Sequence, residues 1–473
     1  MSGASHLIVG AGISGLAAAW ELTRHVPPSS ITVLEGTDRV GGKLRAGTVA
    51  GVTLDVGAES VLARRPEAVD LMHEVGLTEH VVHPATRGSA IWSRGALHPM
   101  PPRTLMGVPA DPDALLGLLT GPEVDRVRRE EPAAPGTEPD LSIGSLVAQR
   151  LGEAVTDRLL EPLLGGVYAG HARSISAAAT MPVLWEAYRS GERLLDVAAR
   201  ALPAPDTTAT PAPVFAGLTG GLHRLPAALA AALSERGVTI RTGCTVRELH
   251  RDPDGAGWEL VTGPVPAPTA YRANRVLLAL PPAPTARLLR DHCPGAAHLV
   301  GGIETASMAV VALAFRAAEL PPLTGTGLLV PPVERRAVKA ATFSANKWAW
   351  VAEAGVGAGP AGEDLVVLRT SLGRHREERA LQRSDADLVT ASLADLADFL
   401  GGPVPTPVDA LVQRWGGGLP QYAVGHLDRV AAVRAEIAPV RGLEVTGAAY
   451  DGVGIPACIG AARAAARRLV DRP

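Results

Sequence analysis

The chain has 473 residues, of which 47% are hydrophobic and 20% are charged, and its formal net charge is -3. This length predicts two or three structural units, because single hydrophobic cores stop growing at about 250 to 300 residues. The near balance of acidic and basic residues excludes bulk attraction to nucleic acid or to an anionic membrane, so any basic patch must be local.

Cysteine and histidine spacing gives no sign of a disulfide framework or of a metal site. The three cysteines lie far apart, and His98, His223 and His426 have no partner at ligand spacing, so structural roles are expected for these histidines. An apolar strand begins within about six residues of the start, which leaves no room for a signal peptide, and no uncharged apolar run approaches about 18 residues. We therefore expect a cytoplasmic protein that contacts a membrane at most peripherally.

Residues 6–34 carry the pattern of a nucleotide-binding βαβ unit. An apolar strand over Leu7–Val9 leads into three glycines, which allow a tight turn, close approach of the backbone to a pyrophosphate and close packing of helix on strand. The helix predicted over Ser14–Thr23 begins at the anion, which its N-terminal N–H groups bind. The residues predicted to form this pyrophosphate site are Gly10, Ala11, Gly12, Ile13, Ser14 and Gly15.

The second strand of the unit, Ile31–Leu34, is followed by an acidic residue and another glycine motif. Glu35 comes about 20 residues after the last glycine, where a carboxylate accepts hydrogen bonds from ribose hydroxyls and disfavours the 2′-phosphate of NADP. The paired glycines within 39–43 let backbone amides approach a diphosphate and a flavin ring, a contact that NAD enzymes of this fold do not usually make. FAD is therefore the predicted cofactor. The residues predicted to hold it on this side are Glu35, Gly36, Arg39, Gly41, Gly42 and Lys43.

The following hundred or so residues change from a mixed pattern to a helical one. A strand and turn over 51–60 and a helix over Pro66–Val75 precede a β-hairpin, Ala90–Pro101, with Arg94 and Gly95 at its turn. Leucine pairs near the helical period then predict a helical insertion up to residue 202. Two segments rich in proline interrupt this pattern. A mobile loop is predicted inside 121–140, and 203–213 is predicted to be a linker.

The nucleotide-binding unit is predicted to resume at the glycine turn over 217–222. A helix over Leu225–Arg236 and a strand over Val238–Thr242 follow it, and the strand over Arg275–Pro282 brings the chain back to the cofactor. Alternating apolar residues between 283 and 412 then predict a mixed sheet that forms the floor of a substrate site.

The closing segment, Leu443–Gly460, predicts a strand, a glycine turn and a helix that runs to Val470. Such a turn points N–H groups at an anion or at the pyrimidine edge of a flavin. The residues predicted to contact FAD here are Gly447, Gly454, Ile455 and Pro456.

The combined motifs resemble a known family of flavoproteins. The segment 39–43 resembles the superfamily of amine oxidases, carotenoid desaturases and porphyrinogen oxidases. Four further segments, which run from end to end of the chain, are similar to the protoporphyrinogen and coproporphyrinogen oxidase family. These segments are Glu161–Gly170, Thr342–Trp348, Trp415–Arg429 and Gly447–Pro456. The closer likeness is to the compact bacterial form, whose members mostly act on coproporphyrinogen III.

This resemblance implies an α/β fold of the amine oxidase-like type: a discontinuous Rossmann-like FAD-binding domain, a mixed-sheet substrate domain and a helical insertion. The implied FAD-binding domain comprises 1–85, 206–282 and 415–473. The implied substrate domain comprises 86–102 and 283–414, and the helical insertion is 103–205. The resemblance also implies that the backbone at Val246 clamps the adenine.

The implied activity is the removal of six electrons from a porphyrinogen in three flavin cycles, each ending with reduction of O2 to H2O2 in haem synthesis. The flavin accepts the hydride, so no catalytic acid or base is assigned. The substrate carries propionates, for which basic partners are expected. The substrate-binding residues implied by the resemblance are Arg65, Gly170 and Lys347, with Arg45 and Arg87 as weaker candidates.

Several alternatives remain open at this stage. The propionate-binding arginine of the eukaryotic protoporphyrinogen enzymes falls near Ser89 here, which weakens the case for protoporphyrinogen IX and favours carboxylate partners at other spacings. An amine oxidase or desaturase would need an aromatic cage or an apolar tunnel on the same scaffold. A binding module without flavin, like the prenyl-GTPase escort proteins, would not need to retain Glu35 and the paired glycines. Peripheral membrane contact and contact with other enzymes of haem synthesis are further expectations.

Overall fold

The computed structural model describes residues 5–202, 212–252 and 257–471 of the chain. A five-stranded parallel sheet lies at the centre of the nucleotide-binding part and is assembled from distant segments. In spatial order its strands are Thr239–Arg241, Ile31–Leu34, His6–Val9, Arg275–Leu278 and Leu443–Val445. His6–Val9 is the central strand, paired in register with Ile31–Leu34 on one side and Arg275–Leu278 on the other. These five strands confirm the predicted discontinuous unit.

Helices and a small sheet cover the two faces of the parallel sheet. The helices on one face are Ile13–Leu22, Pro66–Glu74, Arg224–Glu235 and Ile455–Asp471. Ile13–Leu22 is buried along its whole length, because it lies between the sheet and the closing helix. The elements on the opposite face are the helices Pro282–Leu289, Pro294–Gly301 and His426–Ile437 and the antiparallel strands Val246–Arg251, Trp258–Thr262 and Thr269–Ala273.

A seven-stranded mixed sheet forms the second large layer, as the alternating pattern predicts. In spatial order its strands are Asp409–Pro420, Thr305–Arg316, Leu365–Leu372, Val338–Thr342, Gly327–Leu329, Ala90–Ser93 and Ala96–Pro99. All neighbours are antiparallel except Gly327–Leu329 and Ala90–Ser93. The last two strands are the predicted hairpin, and Arg94 and Gly95 at its turn both have positive φ.

Two of the predicted domain boundaries fall within structural elements. The boundary between 414 and 415 lies inside the strand Asp409–Pro420, and the boundary between 282 and 283 lies inside the helix Pro282–Leu289. That helix belongs with the nucleotide-binding part, since it packs on the parallel sheet.

The predicted helical insertion is a separate cluster of helices that begins with a short hairpin. Its helices are Gly121–Arg128, Ile143–Leu151, Glu153–Val155, the π-helical turn Thr156–Leu160, Glu161–Tyr168, Ala177–Thr180, Pro182–Ser190 and Leu194–Ala201. The hairpin strands are Thr104–Leu105 and Val108–Pro109.

The first part of 121–140 is a helix, and the mobile loop predicted inside this range stays a prediction for the remainder. Thr120 and Glu123 form a reciprocal capping box, and Pro122 occupies the first turn of the helix Gly121–Arg128, where its missing N–H costs nothing. Of the expected linker 203–213, residues 203–211 lie outside the described part of the chain.

The remaining elements are short or lie at the edges of the two sheets. The remaining strands are Ala46–Val49, Val52–Asp55, Val61–Leu62, Val81–Val82 and Phe215–Leu218. The remaining helices are Ser344–Lys347, Ala349–Gly355 and Asp385–Phe399, with 3₁₀ turns at Pro28–Ser30, Thr78–His80, Pro112–Leu115, Pro332–Glu334 and Glu378–Gln382. Among the helices in the described residues, none has the combined length and apolar character needed to cross a membrane.

Candidate active site

A cavity of about 630 Å³ lies between the parallel sheet and the seven-stranded sheet. Four of the five parallel strands are followed, just after their carboxyl ends, by a residue that lines the cavity. Ligands bind at this edge of open α/β sheets. These residues are Gly10, Glu35, Ala279 and Gly447. The opposite wall comes from strands of the mixed sheet, and the helix Glu161–Tyr168 of the insertion closes one side. One cavity therefore connects all three parts of the molecule.

The three glycines of the first turn have different roles in the structure. Gly10 has a φ of +103°, and a Cβ there would lie 2.6 Å from the carbonyl oxygen of Ala279. A Cβ at Gly15 would collide with the carbonyl oxygen of Gly10, so this glycine is needed for packing of helix on strand. A Cβ at Gly12 would meet no described atom within 4 Å, although Gly12 lines the cavity. Gly12 thus leaves open space in the cavity, as its predicted contact with a diphosphate requires.

Two helix N-termini meet at this cavity. Gly12 is the N-cap of Ile13–Leu22, and no side chain in the described part of the chain caps that end. Gly454 and Ile455 line the cavity where the helix Ile455–Asp471 begins. The uncapped N–H groups and the helix dipoles both favour an anion, as expected for a diphosphate.

Glu35 is held in place by backbone donors and lines the cavity. Its Oε2 accepts a hydrogen bond from the N–H of Ala11 at 2.8 Å, and its Oε1 accepts one from the N–H of Thr37 at 2.9 Å. Each carboxylate oxygen can accept more than one hydrogen bond, so acceptor capacity remains for ribose hydroxyls. This geometry fits the predicted role of Glu35.

The second glycine motif folds against the first. The N–H of Gly41 donates to the carbonyl of Ala11 at 2.8 Å, and Arg39 Nη2 donates to the carbonyl of Gly42 at 3.1 Å. Arg39 thereby shapes the loop and is not part of the cavity lining. Lys43 does line the cavity, and burial lowers the pKa of its ammonium group.

Most of the predicted cofactor residues come together at this cavity. Those that line it are Gly10, Gly12, Ile13, Ser14, Glu35, Gly41, Gly42, Lys43, Gly447, Gly454 and Ile455. Those outside the lining are Ala11, Gly15, Gly36, Arg39, Val246 and Pro456. Val246 has a buried side chain, and its carbonyl accepts a hydrogen bond from Arg287 Nη2 at 3.1 Å. The adenine contact of Val246 stays a prediction.

The structure places none of the three expected substrate residues in the cavity lining. Arg65 points to the surface, where Glu67, two residues further along, holds its guanidinium at 2.7 Å. Gly170 packs against the side chain of Gln421, and Gly166 and Val167 of the preceding helix line the cavity instead. The propionate contact of Arg65 and the contact of the Gly170 carbonyl with the reacting ring, which the resemblance implies, stay predictions.

Lys347 is adjacent to the cavity through its partner. Its Nζ lies 2.6 Å from Oε1 of Glu59, whose Oε2 lies 2.6 Å from Arg369 Nη2. Burial acts to raise the pKa of Glu59, but the charges of Arg369 and Lys347 outweigh it, so this pKa lies below its ordinary value. Glu59 and Arg369 both line the cavity. The cluster therefore brings a net positive charge to the cavity wall.

A further cation, Lys339, was missed by the sequence reasoning. It lines the cavity, is only 5% exposed, and its Nζ has no hydrogen-bond partner among the described residues. Burial lowers the pKa of Lys339 to about 7. The available signal was a lone lysine inside the apolar run 337–341, although that pattern does not say which face of a strand the side chain takes.

Tyr422 fixes the closing glycine turn from behind. Its hydroxyl donates to the carbonyl of Ala448 at 2.6 Å and accepts from the N–H of Gly452 at 2.7 Å. The ring of His426 stacks on Tyr422 with 3.8 Å between ring centroids. The position of His426 in this stack agrees with the structural role predicted for it. No group of side chains in the described residues is arranged to hold a metal ion.

The comparisons with known proteins agree with this geometry. The model of the flavin containing amine oxidoreductase family matches residues 13–470. Coproporphyrinogen III oxidase of Mycobacterium tuberculosis (strain ATCC 25618 / H37Rv) is 35% identical over 477 residues, covering 100% of this chain and 98% of that protein. The chain belongs to the protoporphyrinogen and coproporphyrinogen oxidase family.

Two further relatives of this porphyrinogen oxidase family member extend the similarity. Coproporphyrinogen III oxidase of Bacillus subtilis (strain 168) is 30% identical, with 97% of this chain and 96% of that protein covered. A crystal structure from Exiguobacterium sp. 255-15, named as a presumed protoporphyrinogen oxidase, has a TM-score of 0.84 and 32% identity and covers 99% of each chain. The protein is accordingly a flavoprotein oxidoreductase with FAD as its cofactor.

Proposed function

We propose that this enzyme oxidises coproporphyrinogen III to coproporphyrin III in haem synthesis. The observation that carries the proposal is that one cavity extends from the FAD-binding turns to the strands of the seven-stranded sheet. The part beside the seven-stranded sheet, the chamber, has an excess of positive charge. In this reaction six electrons and six protons leave the macrocycle in three steps, and three molecules of O2 become three of H2O2. When bound, FAD supplies the acceptor for the hydride that leaves a meso carbon.

The charge of the chamber supports a substrate with several carboxylates. Arg369, Lys347 and Lys339 lie at or beside its wall, whereas Glu59 is the one acid among the lining residues outside the nucleotide-binding turns. Charge-assisted contacts with carboxylates are stronger than neutral hydrogen bonds. Coproporphyrinogen III carries four propionates and protoporphyrinogen IX carries two, so this charge excess favours the former.

The shape of the chamber supports a broad, flat substrate. Many of its lining residues have small side chains or none. These residues are Ala58, Ser60, Gly166, Ala340, Ser371, Gly417, Gly418 and Ala448. Such walls leave room for a macrocycle to lie against the sheet and to change its orientation between cycles. No acid or base of the chain is required for hydride removal, and Glu59 is held ionised between two cations.

The alternatives on the same scaffold are less consistent with the lining. An amine oxidase would need an aromatic cage, but Trp415 is the one aromatic residue among the described residues that line the cavity. A binding module that has lost its flavin would not need the open space at Gly12 or the placement of Glu35.

A test of the activity is aerobic oxidation of coproporphyrinogen III and of protoporphyrinogen IX by the purified holoenzyme, followed by porphyrin fluorescence. We expect faster oxidation of coproporphyrinogen III and three molecules of H2O2 for each porphyrin formed. Parallel samples without enzyme correct for autoxidation. Consumption of an amine or a carotene, with no gain in porphyrin fluorescence above autoxidation, would overturn the proposal.

We also propose that the enzyme works in the cytoplasm with O2 as its oxidant. Its three cysteines, Cys244, Cys293 and Cys458, are all free thiols, which suits a reducing compartment. Peripheral contact with a membrane and contact with other enzymes of haem synthesis stay predictions. An assay under argon, in which turnover should stop after a single reduction of the bound flavin, tests the role of O2.

A further inference from the structure

Lys339 occupies an irregular position in the mixed sheet. The pairing of Val338–Thr342 with Leu365–Leu372 shifts register between Val338 and Ala340, so Lys339 is the extra residue of a β-bulge. A regular strand would send Lys339 and Ala340 to opposite faces, but here both line the cavity. The bulge therefore places a lysine at the cavity wall, on a strand that has no other charged residue.

The ammonium group of Lys339 is buried without compensation by the protein. Its Nζ has no hydrogen-bond partner among the described residues, and no carboxylate there lies within ion-pair distance of it. The nearest charges that act on it are Arg374, which repels a proton, and Glu377, whose attraction is weaker. The carboxylate of Glu377 instead lies 4.0 Å from Nη1 of Arg374. Burial of an unpaired lysine is costly, which points to a ligand as its partner.

The wall on which Lys339 lies indicates which ligand this is. The diphosphate of FAD is accounted for by the turns at Gly12 and Gly454, which follow strands of the parallel sheet. Lys339 belongs to the other sheet, beside Ala340 and Ser371, where the chamber for the substrate lies. Its Nζ is itself fully buried, so the flexible four-carbon stem has to move for Nζ to reach a group in the cavity that the residue lines.

We propose that Lys339 binds a carboxylate of the porphyrinogen inside the cavity. This inference rests on the proposed function and adds a specific substrate contact to it. Lys339 is then distinct from Arg369 and Lys347, which already share Glu59. A buried cation without a partner gains more binding free energy from a substrate carboxylate than a cation that is already paired in the free enzyme.

The experiment compares the holoenzyme with Lys339→Met and Lys339→Arg. Dissociation constants are measured for coproporphyrin III and for its tetramethyl ester in the same mild detergent, by fluorescence titration. For Lys339→Met we expect weakening for the tetracarboxylate by about 10 to 100-fold, the range for one charge-assisted contact, and little change for the ester. Lys339→Arg should restore most of the affinity for the tetracarboxylate.

Steady-state kinetics separate this role from others. With coproporphyrinogen III, Lys339→Met should raise KM while kcat stays within about twofold, because the contact is made in the ground state and in the transition state alike. The FAD content, from absorbance near 450 nm, should not change. Arg272→Met serves as a control, since Arg272 is an exposed residue that pairs with Glu259 and does not line the cavity.

Four results would overturn the inference. Equal weakening for the acid and its ester would indicate a role of Lys339 in shape alone. Loss of kcat with unchanged affinity would indicate proton transfer, and loss of FAD would indicate a cofactor contact. If the native enzyme oxidises coproporphyrinogen III and Lys339→Met matches it, the inference fails while the proposed function stands. If the native enzyme oxidises no porphyrinogen, the proposed function fails first.

Discussion

Replacing Lys339 by methionine should make the folded protein more stable at neutral pH while it weakens substrate binding. Burial lowers the pKa of this side chain from 10.5 to about 7. The unfolded chain therefore holds a proton at pH 7 more tightly than the folded chain does. At about 1.4 kcal/mol for each pH unit between the two pKa values, the buried ammonium lowers the free energy of unfolding by about 4 kcal/mol at pH 7.

The pH dependence of this effect has a definite sign. For a lysine with a lowered pKa, the loss of stability is complete below the folded pKa and disappears as the pH rises toward the unfolded pKa of 10.5. The same relation leaves a loss of about 2 kcal/mol at pH 9. Methionine has a similar length and no charge, so it removes the pH-dependent term and fills most of the same space.

The assay is urea unfolding of the native protein and of Lys339→Met, both with saturating FAD, followed by tryptophan fluorescence at pH 7 and at pH 9. We expect the variant to gain several kcal/mol at pH 7 and about half as much at pH 9. Lys347→Met is the matched control. Because it removes one of the two partners of Glu59, it should destabilise the protein at both values. A gain that is absent, or equal at both pH values, would refute the reasoning.

Two further predictions concern the cofactor and the pH profile. Gly12→Val should fold with normal circular dichroism yet lose the absorbance of FAD near 450 nm, because the new side chain enters open cavity space. Gly15→Val should fail to fold, because its side chain collides with the backbone. Retention of yellow colour by Gly12→Val would contradict this assignment. For the native enzyme, kcat/KM with coproporphyrinogen III should fall as the pH rises through about 7, because Lys339 loses its charge there. The charged groups that act on Lys339 are Arg374 and Glu377. Lys339→Arg should show no such fall.

Local sequence determined the nucleotide-binding unit and its cofactor. The spacing of three glycines and Glu35 predicts a diphosphate site because backbone N–H groups within one short segment make the contacts, and the geometry of that segment is set by its own turn. The structure brings Gly10, Gly12 and Glu35 to one cavity, and Gly447 and Gly454 join them from the closing segment. The bounds of the βαβ elements follow the predicted ones within one or two residues.

The start of the helix Gly121–Arg128 carries a local sequence signal for a helix, although the composition of this segment favours a loop. Charge and proline content favour a loop, but Thr120 and Glu123 satisfy backbone donors at the helix start. The sequence therefore contained the information, in the form of a capping box followed by proline in the first turn.

The charged groups of the substrate chamber were decided by the tertiary structure alone. Arg65 was expected there, but its neighbour Glu67 holds it at the surface. Lys339 lines the cavity because of a β-bulge in its strand, and Arg369 lines it where its guanidinium pairs with Glu59. The direction of a side chain depends on strand register and on partners hundreds of residues away, whereas a glycine turn depends mainly on its own backbone. For this reason the sequence determined the cofactor, and only the assembled sheets decided which cations face the substrate.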